Sequence, residues 1–193
     1  EEIKKIVKPW VSGYDVNKLC WELCEKYNVI PGFKGVYGFP GNICISVNDC
    51  VVHGVPSKKM IFEKWDVVKF DFWVKDKVIW VNTDAAFTMI VWDWPHDEKV
   101  VKFLKVAEEA LYKWIKKAVP WNKIWDIGHA IQTHIESNGF YVIKDLTGHW
   151  VGYTLHEKPY IPNFWIPGNW VVLKENMLLA IEPIVWYSSW KRK

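Results

Sequence analysis

Apolar residues recur along the chain at two spacings, and these spacings predict an alternation of helices and strands. Three stretches have apolar residues three and four positions apart, which is typical of an amphipathic helix. They run from Asp15 to about Tyr27, from about Asp97 to Ala118, and from Trp125 to Asn138. Asp15 is expected to cap the first helix, and Gly139 is expected to end the third.

Shorter apolar stretches bounded by turn residues predict the strands. Their expected ranges are 43–47, 50–53, 67–74, 78–92, 140–144, 149–155 and 177–185. Turns at Asn48-Asp49 and Asp76-Lys77 would join the first four into hairpins. Hairpins favour an antiparallel or mixed sheet, so the predicted fold class is α+β. Helix followed by strands occurs twice, which hints at two similar halves, although no residue-level repeat accompanies it.

Length and charge narrow the class of protein. A chain of 193 residues fits one domain, and its halves would span approximately 1–95 and 96–193. A net charge of +3 is too small to indicate a nucleic-acid partner. No apolar run approaches the roughly 20 residues of a membrane span. We expect a monomer without membrane contact, and a chain that opens at Glu1 suggests a fragment lacking both ends.

Four cysteines occur in the chain, too few to form a disulfide framework at this length. Cys20 and Cys24 lie one helical turn apart on an apolar face, without a second Cys or His pair to complete a zinc site. Buried free thiols in a reducing compartment are therefore expected. This indicates a cytoplasmic protein.

Two carboxylates lie on the predicted long hairpin. A two-residue turn at Asp76-Lys77 would pair Asp71 with Asn82 and make Asp84 the diagonal neighbour of Asp71 on the same face. Two carboxylates on an inner face repel each other unless a cation or a proton compensates. Taken singly, each would more often be a solvated strand residue.

Two histidines and a glutamate follow in the second half. His149 and His156 are seven residues apart, so a bulge or bend near Gly152 is needed if both are to face one cleft. Glu182 stands in an apolar strand and needs a cation or a proton if it is buried. Each could be structural, but with the two aspartates the set favours a hard or borderline divalent ion (Mn, Fe, Co or Zn).

Two loops add weaker signals. His53 ends a strand before a Gly-Val-Pro turn, in the run Val-Val-His-Gly-Val-Pro. The run Tyr-Gly-Phe-Pro-Gly-Asn around Phe39, followed by Cys44, could hold an apolar side chain. Loop aromatics more often serve packing than binding, so neither loop decides a function alone.

These motifs, taken in order, resemble the type I methionine aminopeptidases. The matching runs are Cys-Ile-Ser-Val-Asn at 44–48, His-Gly-Val-Pro at 53–56, Asp71, Asn-Thr-Asp-Ala-Ala at 82–86, Gly-His at 148–149, Leu-His-Glu at 155–157 and Ile-Glu-Pro at 181–183. The resemblance implies the pita-bread fold, a curved antiparallel sheet covered by helices in two pseudo-symmetric halves. It also implies two divalent ions (Co, Mn, Fe or Zn) in a cleft between the halves.

The resemblance also assigns roles to individual residues. The implied metal ligands are Asp71, Asp84, His149 and Glu182. Glu182 would also transfer the proton, and His53 and His156 would contact the scissile amide. Phe39, Cys44 and Leu155 would line the pocket for the methionine side chain, and the two histidines would bind the substrate at its scissile amide and steady the tetrahedral intermediate. The implied reaction is removal of the initiator methionine from nascent proteins by attack of a metal-bound hydroxide; contact with the ribosome is left open.

Departures from the family keep other functions in view. The family has a second glutamate as a fifth ligand on a strand near its C-terminus, whereas no acidic residue follows Glu182 here. The chain as given is therefore expected to bind two metals poorly and to be an inactive fragment. A prolidase or aminopeptidase P acting on Xaa-Pro peptides, or a catalytically silent pita-bread binding protein, are the alternatives.

Fifteen tryptophans are an unusual number for 193 residues. Trp10 and Trp121 follow prolines and Trp170 follows an asparagine, in the second positions of Pro-Gly and Asn-Gly turns. According to the resemblance, the family has glycine at five positions where this chain has tryptophan: Trp10, Trp65, Trp73, Trp121 and Trp150. We hypothesise that UGA codons meant as glycine are read as tryptophan, and that an indole beside His149 would impair activity.

Overall fold

The computed structural model describes residues 1–92, 97–166 and 171–187. Contacts within the chain divide it into two units, residues 1–96 with 153–155 and residues 97–152 with 156–193. Each unit has its own apolar core. That the two halves form one catalytic domain stays a prediction. Trp170, predicted in a turn, lies outside the described residues.

Two helices open the first unit, α1 (Glu2–Ile6) and α2 (Gly13–Lys26). The predicted N-cap at Asp15 is wrong: the N-cap is Ser12, three residues earlier, and Asp15 is the third helical residue. The Ser12 hydroxyl accepts from the Asp15 amide at 3.2 Å, and the Asp15 carboxylate accepts from the Ser12 amide at 3.0 Å. This capping box satisfies amides that the first helical turn leaves without partners.

A four-stranded antiparallel sheet completes the first unit. Its strands are β1 (Val29–Pro31), β2 (Cys44–Val47), β3 (Val67–Asp76) and β4 (Asn82–Ile90), with a 3₁₀ turn at Val36–Gly38. β3 pairs along its length with β4, and with β1 and β2 at its two ends. One face of the sheet packs with α1 and α2 into the core, which includes Val16, Cys20, Ile45, Val68 and Phe70.

Two strand predictions in this unit are wrong. Residues 50–53 form no strand, because the chain turns at Asn48 (φ 48°) and again at His53 (φ 57°), and left-handed backbone cannot continue a ladder. The β3–β4 connection spans residues 77–81, not two residues. Its first turn is held by the Asp76 carboxylate, which accepts from the amides of Val78 and Ile79 and so keeps the pKa of Asp76 below its usual value.

The second unit contains two helices and two small antiparallel sheets. The helices are α3 (Glu98–Ile115) and α4 (Ile124–Ser137). One sheet pairs β5 (Tyr141–Val142) with β9 (Val185–Trp186), and the other has the order β7 (Glu157–Pro162), β6 (Thr147–Trp150), β8 (Leu179–Ala180). The apolar stripes of both helices meet in a core that includes Val106, Trp114, Ile127, Ile131 and Ile161.

Both predicted helices of this unit are confirmed to within two or three residues. The strands differ more. The predicted strand at 149–155 ends at Trp150, and the one at 177–185 is divided between β8 and β9, which pair with different partners. β7 was not predicted, because prolines at 159 and 162 interrupt its pattern. No helix in the described part of the chain is long and apolar enough to cross a membrane.

Candidate metal centre

In the first unit, Asp71 and Asp84 lie on the same face of the sheet. Residues of β3 alternate between the core, where Val68 and Phe70 lie, and the opposite face, where Asp71 and Trp73 lie. Trp73 pairs with Asp84 across the strands, so Asp84 is the diagonal neighbour of Asp71. The shared face is confirmed. The predicted pairing of Asp71 with Asn82 is wrong: Asp71 pairs with Ala86, an even shift of four residues that preserves the face.

Cys44 belongs to the same face. It pairs with Asp71 from the opposite edge of β3 and is buried. Burial raises the pKa of the Cys44 thiol well above its usual value, and the nearby carboxylates of Asp71 and Asp84 raise it further. The side chain is therefore a neutral thiol at physiological pH.

Phe39 belongs to a group of aromatic side chains beside this face. Its ring centroid lies 5.7 Å from that of Phe33, and the Phe33 centroid lies 6.0 Å from that of Trp73. The Trp73 ring covers the backbone of Gly32 so closely that an added Cβ would come within 1.9 Å of it. Leu155 is half-buried and belongs to the short segment, residues 153–155, that is part of the first unit. That Phe39, Cys44 and Leu155 line a substrate pocket stays a prediction.

His53 is exposed on a loop that β2 holds in place. Gly54 donates from its amide to the Ser46 hydroxyl at 3.1 Å and accepts from the Ile45 amide at 2.9 Å. A Cβ on Gly54 would lie 2.0 Å from the Ile45 carbonyl oxygen, so only glycine permits this approach. Ser46 was not singled out from the sequence; a lone buried hydroxyl in an apolar strand is the signal that could have found it.

In the second unit, His149 and Glu182 face each other. His149 is buried on β6 and pairs with Ala180 of β8, which makes Glu182 its diagonal neighbour. Its Nδ1 lies 2.9 Å from the carbonyl oxygen of Trp150, and its Nε2 lies 3.1 Å from Glu182 Oε1. A carbonyl oxygen accepts only, so Nδ1 carries the proton in the neutral ring and Nε2 presents a lone pair to the carboxylate.

This arrangement fits a bound cation. Glu182 Oε1 is buried and has no hydrogen-bond donor, because its contact with His149 Nε2 lacks hydrogen-bond geometry. Two acceptors facing each other at this distance repel unless a cation or a proton lies between them. A histidine that donates one ring N–H to a backbone carbonyl and directs the other nitrogen at a cation is the usual form of a metal ligand. His149 and Glu182 thus have the orientation of metal ligands.

His156 lies beside His149, as expected if the chain bends between them. The two ring centroids are 4.4 Å apart and the ring planes meet at 67°. The irregularity is a register shift between His149 and Trp150, two residues before the expected position near Gly152. Each unit therefore groups part of the predicted site: Cys44, Asp71 and Asp84 in the first, and His149, His156 and Glu182 in the second.

Comparison with known proteins identifies the family. The profile of metallopeptidase family M24 matches residues 1–192. The chain belongs to this family. Methionine aminopeptidases of Clostridium acetobutylicum and Bacillus subtilis are 39% and 40% identical to it, over 95% and 96% of this chain and 72% and 73% of their own lengths. The crystal structure of methionine aminopeptidase from Thermotoga maritima matches with a TM-score of 0.93 and 41% identity, covering 98% of this chain and 75% of that one.

More distant solved structures share the fold. A prolidase from Pyrococcus horikoshii has a TM-score of 0.72 at 20% identity. The predicted α+β pita-bread fold and the resemblance to methionine aminopeptidases are confirmed. As an M24 member, the chain is a metal-dependent peptidase, a hydrolase that uses divalent metal.

Proposed function

We propose that this M24 chain removes N-terminal methionine from peptides and proteins, using two divalent ions bound by Asp71, Asp84, His149 and Glu182. The observation that carries the proposal is the approach of His149 Nε2 to within 3.1 Å of Glu182 Oε1, a buried carboxylate oxygen that accepts no hydrogen bond. The carboxylates of Asp71 and Asp84 on one sheet face support it. Mn, Fe, Co and Zn all suit such a mixture of oxygen and imidazole ligands.

Divalent cations at such a site supply an acidified water as nucleophile and polarise the scissile carbonyl. The residues of the chain then move the proton and orient the substrate. Glu182 can accept the proton of the attacking water and deliver it to the leaving amine. His53 and His156 can donate hydrogen bonds to the scissile amide, and the loop contact at Gly54 fixes the backbone from which His53 projects.

The substrate pocket is proposed to contain Phe39, Cys44 and Leu155. A neutral thiol and an aromatic ring form an apolar, polarisable surface, which suits the flexible thioether of methionine. The raised pKa of Cys44 supports this assignment, because a thiolate there would repel an apolar side chain.

Peptide cleavage tests the proposal. With Mn²⁺, Fe²⁺, Co²⁺ or Zn²⁺ added in turn, the chain should release methionine from Met-Ala-Ser and leave Xaa-Pro peptides intact, at a low rate because no acidic residue after Glu182 supplies a fifth ligand. Exchange of His156 for alanine should lower kcat by about 100-fold without changing the number of ions bound, since general catalysts contribute 10²–10⁴-fold. His129→Ala is the matched control, because His129 is exposed on α4. Cleavage of Xaa-Pro peptides would instead indicate a prolidase, and peptide binding without cleavage would indicate a binding protein.

We further propose a cytoplasmic monomer that acts on nascent chains. All four cysteines are free, and three of them are buried, which suits a reducing compartment. Cell fractionation and size-exclusion chromatography test location and oligomeric state. Co-sedimentation with ribosomes tests the ribosome contact that the sequence leaves open.

A further inference from the structure

Five tryptophans have backbone that favours glycine. Their φ angles are 76° at Trp10, 73° at Trp65, 60° at Trp80, 82° at Trp92 and 76° at Trp121. Left-handed backbone brings the Cβ of an L-residue too close to its carbonyl oxygen, and a bulky side chain makes the conformation rarer still. Asparagine escapes part of this cost through its short polar side chain, but tryptophan cannot. Tryptophan nevertheless supplies five of the ten non-glycine residues with positive φ in the described ranges.

The indoles do not pack in a way that would explain this backbone. All five side chains are at least half exposed, from 50% at Trp92 to 85% at Trp121. Lysine ammonium groups lie over the rings of Trp80 and Trp92, at 5.1 and 4.8 Å, but such contacts are weak at exposed sites.

Backbone hydrogen bonds hold four of these turns independently of the indoles. The Trp10 amide donates to Phe62 O at 2.9 Å, and the Trp65 amide donates to Val91 O at 2.8 Å. The Trp80 amide donates to Asp76 O at 3.1 Å, and the Trp121 amide donates to Leu173 O at 3.0 Å. At these four positions the left-handed turn is therefore anchored by main-chain contacts, which any side chain would leave in place. Glycine adopts this backbone without steric cost.

Other tryptophans of the chain lie where glycine would be unfavourable. Trp114 is 1% exposed in the core at α3, and Trp21 lies within α2; neither has positive φ. Trp73 and Trp150 also have ordinary φ values, so the backbone argument does not extend to them. Backbone conformation thus separates two groups of tryptophans within one chain.

We propose that the natural protein has glycine at positions 10, 65, 80, 92 and 121, because UGA codons that specify glycine in its source have been translated as tryptophan. Positions 80 and 92 follow from the backbone alone. Trp65 and Trp92 flank the β3–β4 hairpin and Trp80 lies in its connecting loop. The exchange therefore strains the element that carries Asp71 and Asp84.

The coding DNA gives the first test. UGA is expected at all five positions, and UGG is expected at Trp21 and Trp114, which the fold accepts as tryptophan. UGG at the five positions would overturn the proposal. UGA at Trp21 and Trp114 as well would also overturn it, because the codon would then not follow the backbone conformation.

Stability of the 193-residue chain gives the second test. The variant in which all five are exchanged (W10G, W65G, W80G, W92G and W121G) should have a ratio of folded to unfolded protein at least about tenfold higher, measured by urea unfolding. Trp21→Gly is the matched control, an exposed tryptophan in a helix, and should lower the ratio about fivefold. If the variant with all five tryptophans replaced by glycine were no more stable than the parent, the turns would tolerate tryptophan and the structural argument would be overturned.

Discussion

Exchange of Glu182 for glutamine should have opposite effects in the absence and presence of metal. In the metal-free chain, Glu182 Oε1 is buried, accepts no hydrogen bond and lies 3.1 Å from His149 Nε2. Glutamine has nearly the same shape, and its amide can donate to Nε2. The substitution therefore replaces a repulsive contact by a hydrogen bond.

The magnitudes follow from these contacts. A new buried hydrogen bond contributes about 1 kcal/mol net, and each kcal/mol shifts the melting temperature of a chain of this size by about 2–4 °C. The metal-free Glu182→Gln chain should therefore melt about 2–4 °C higher than the parent. A divalent ion at about 100 times its Kd stabilises the parent by about 2.7 kcal/mol, or about 5–10 °C. The variant should lose most of this shift, because an amide is a poor metal ligand.

Differential scanning calorimetry at pH 8, with EDTA or with excess Mn²⁺, measures both effects. Glu175→Gln is the matched control, because Glu175 is exposed in the same unit and should leave both melting temperatures unchanged. A metal-free Glu182→Gln chain that melts below the parent would refute the reasoning, since it would mean that the carboxylate already has a stabilising donor. An undiminished shift with Mn²⁺ would exclude Glu182 as a ligand.

Further predictions concern single elements. In Gly54→Ala, the new Cβ would lie 2.0 Å from the Ile45 carbonyl oxygen, so the loop must move by about 1.4 Å to reach an ordinary contact distance. The value of kcat/KM for Met-Ala-Ser should therefore fall about 100-fold. An unchanged value would show that the position of the loop does not affect catalysis. Ser12→Ala should cost about 1 kcal/mol in urea unfolding through loss of the α2 cap. Hydrogen bonds from the Ser12 hydroxyl and amide lower the pKa of Asp15. Asp15→Asn should therefore lower the free energy of unfolding by its full amount at pH 7. This difference from the parent should disappear as the pH falls below 3.8, the usual pKa of an aspartate, as urea unfolding at a series of pH values would measure. Trp114→Ala should cost about 3–5 kcal/mol by the same assay, and a cost below 1 kcal/mol would contradict its place in the core.

Local patterns predicted the helices well and the short strands less well. The apolar stripe of α3 is contained in one stretch of sequence, so periodicity alone indicates it. The strand expected at 50–53 fails because His53 adopts left-handed backbone, which residue type does not reveal. A division of 177–185 between β8 and β9 depends on which distant strands each segment meets.

The candidate site shows the same difference between features set by local sequence and features set by long-range pairing. Asp71 and Asp84 share a face because they belong to one hairpin, and even a wrong register preserved that face. The approach of Glu182 to His149 depends on β6 pairing with a segment about thirty residues later, and no local spacing predicts this pairing. From the sequence, residue chemistry suggested that His149 and Glu182 belong to one metal-binding set, and the resemblance to a known family assigned them as ligands.

The unequal exposure of the four thiols allows selective chemical labelling. Cys20, Cys24 and Cys44 are buried, and only Cys50 is exposed. Because thiol reagents need an accessible sulfur and attack through the thiolate, a maleimide dye should attach first at Cys50, three residues before His53. A fluorophore at that position would report on the loop directly and could follow peptide binding in real time without any engineered cysteine.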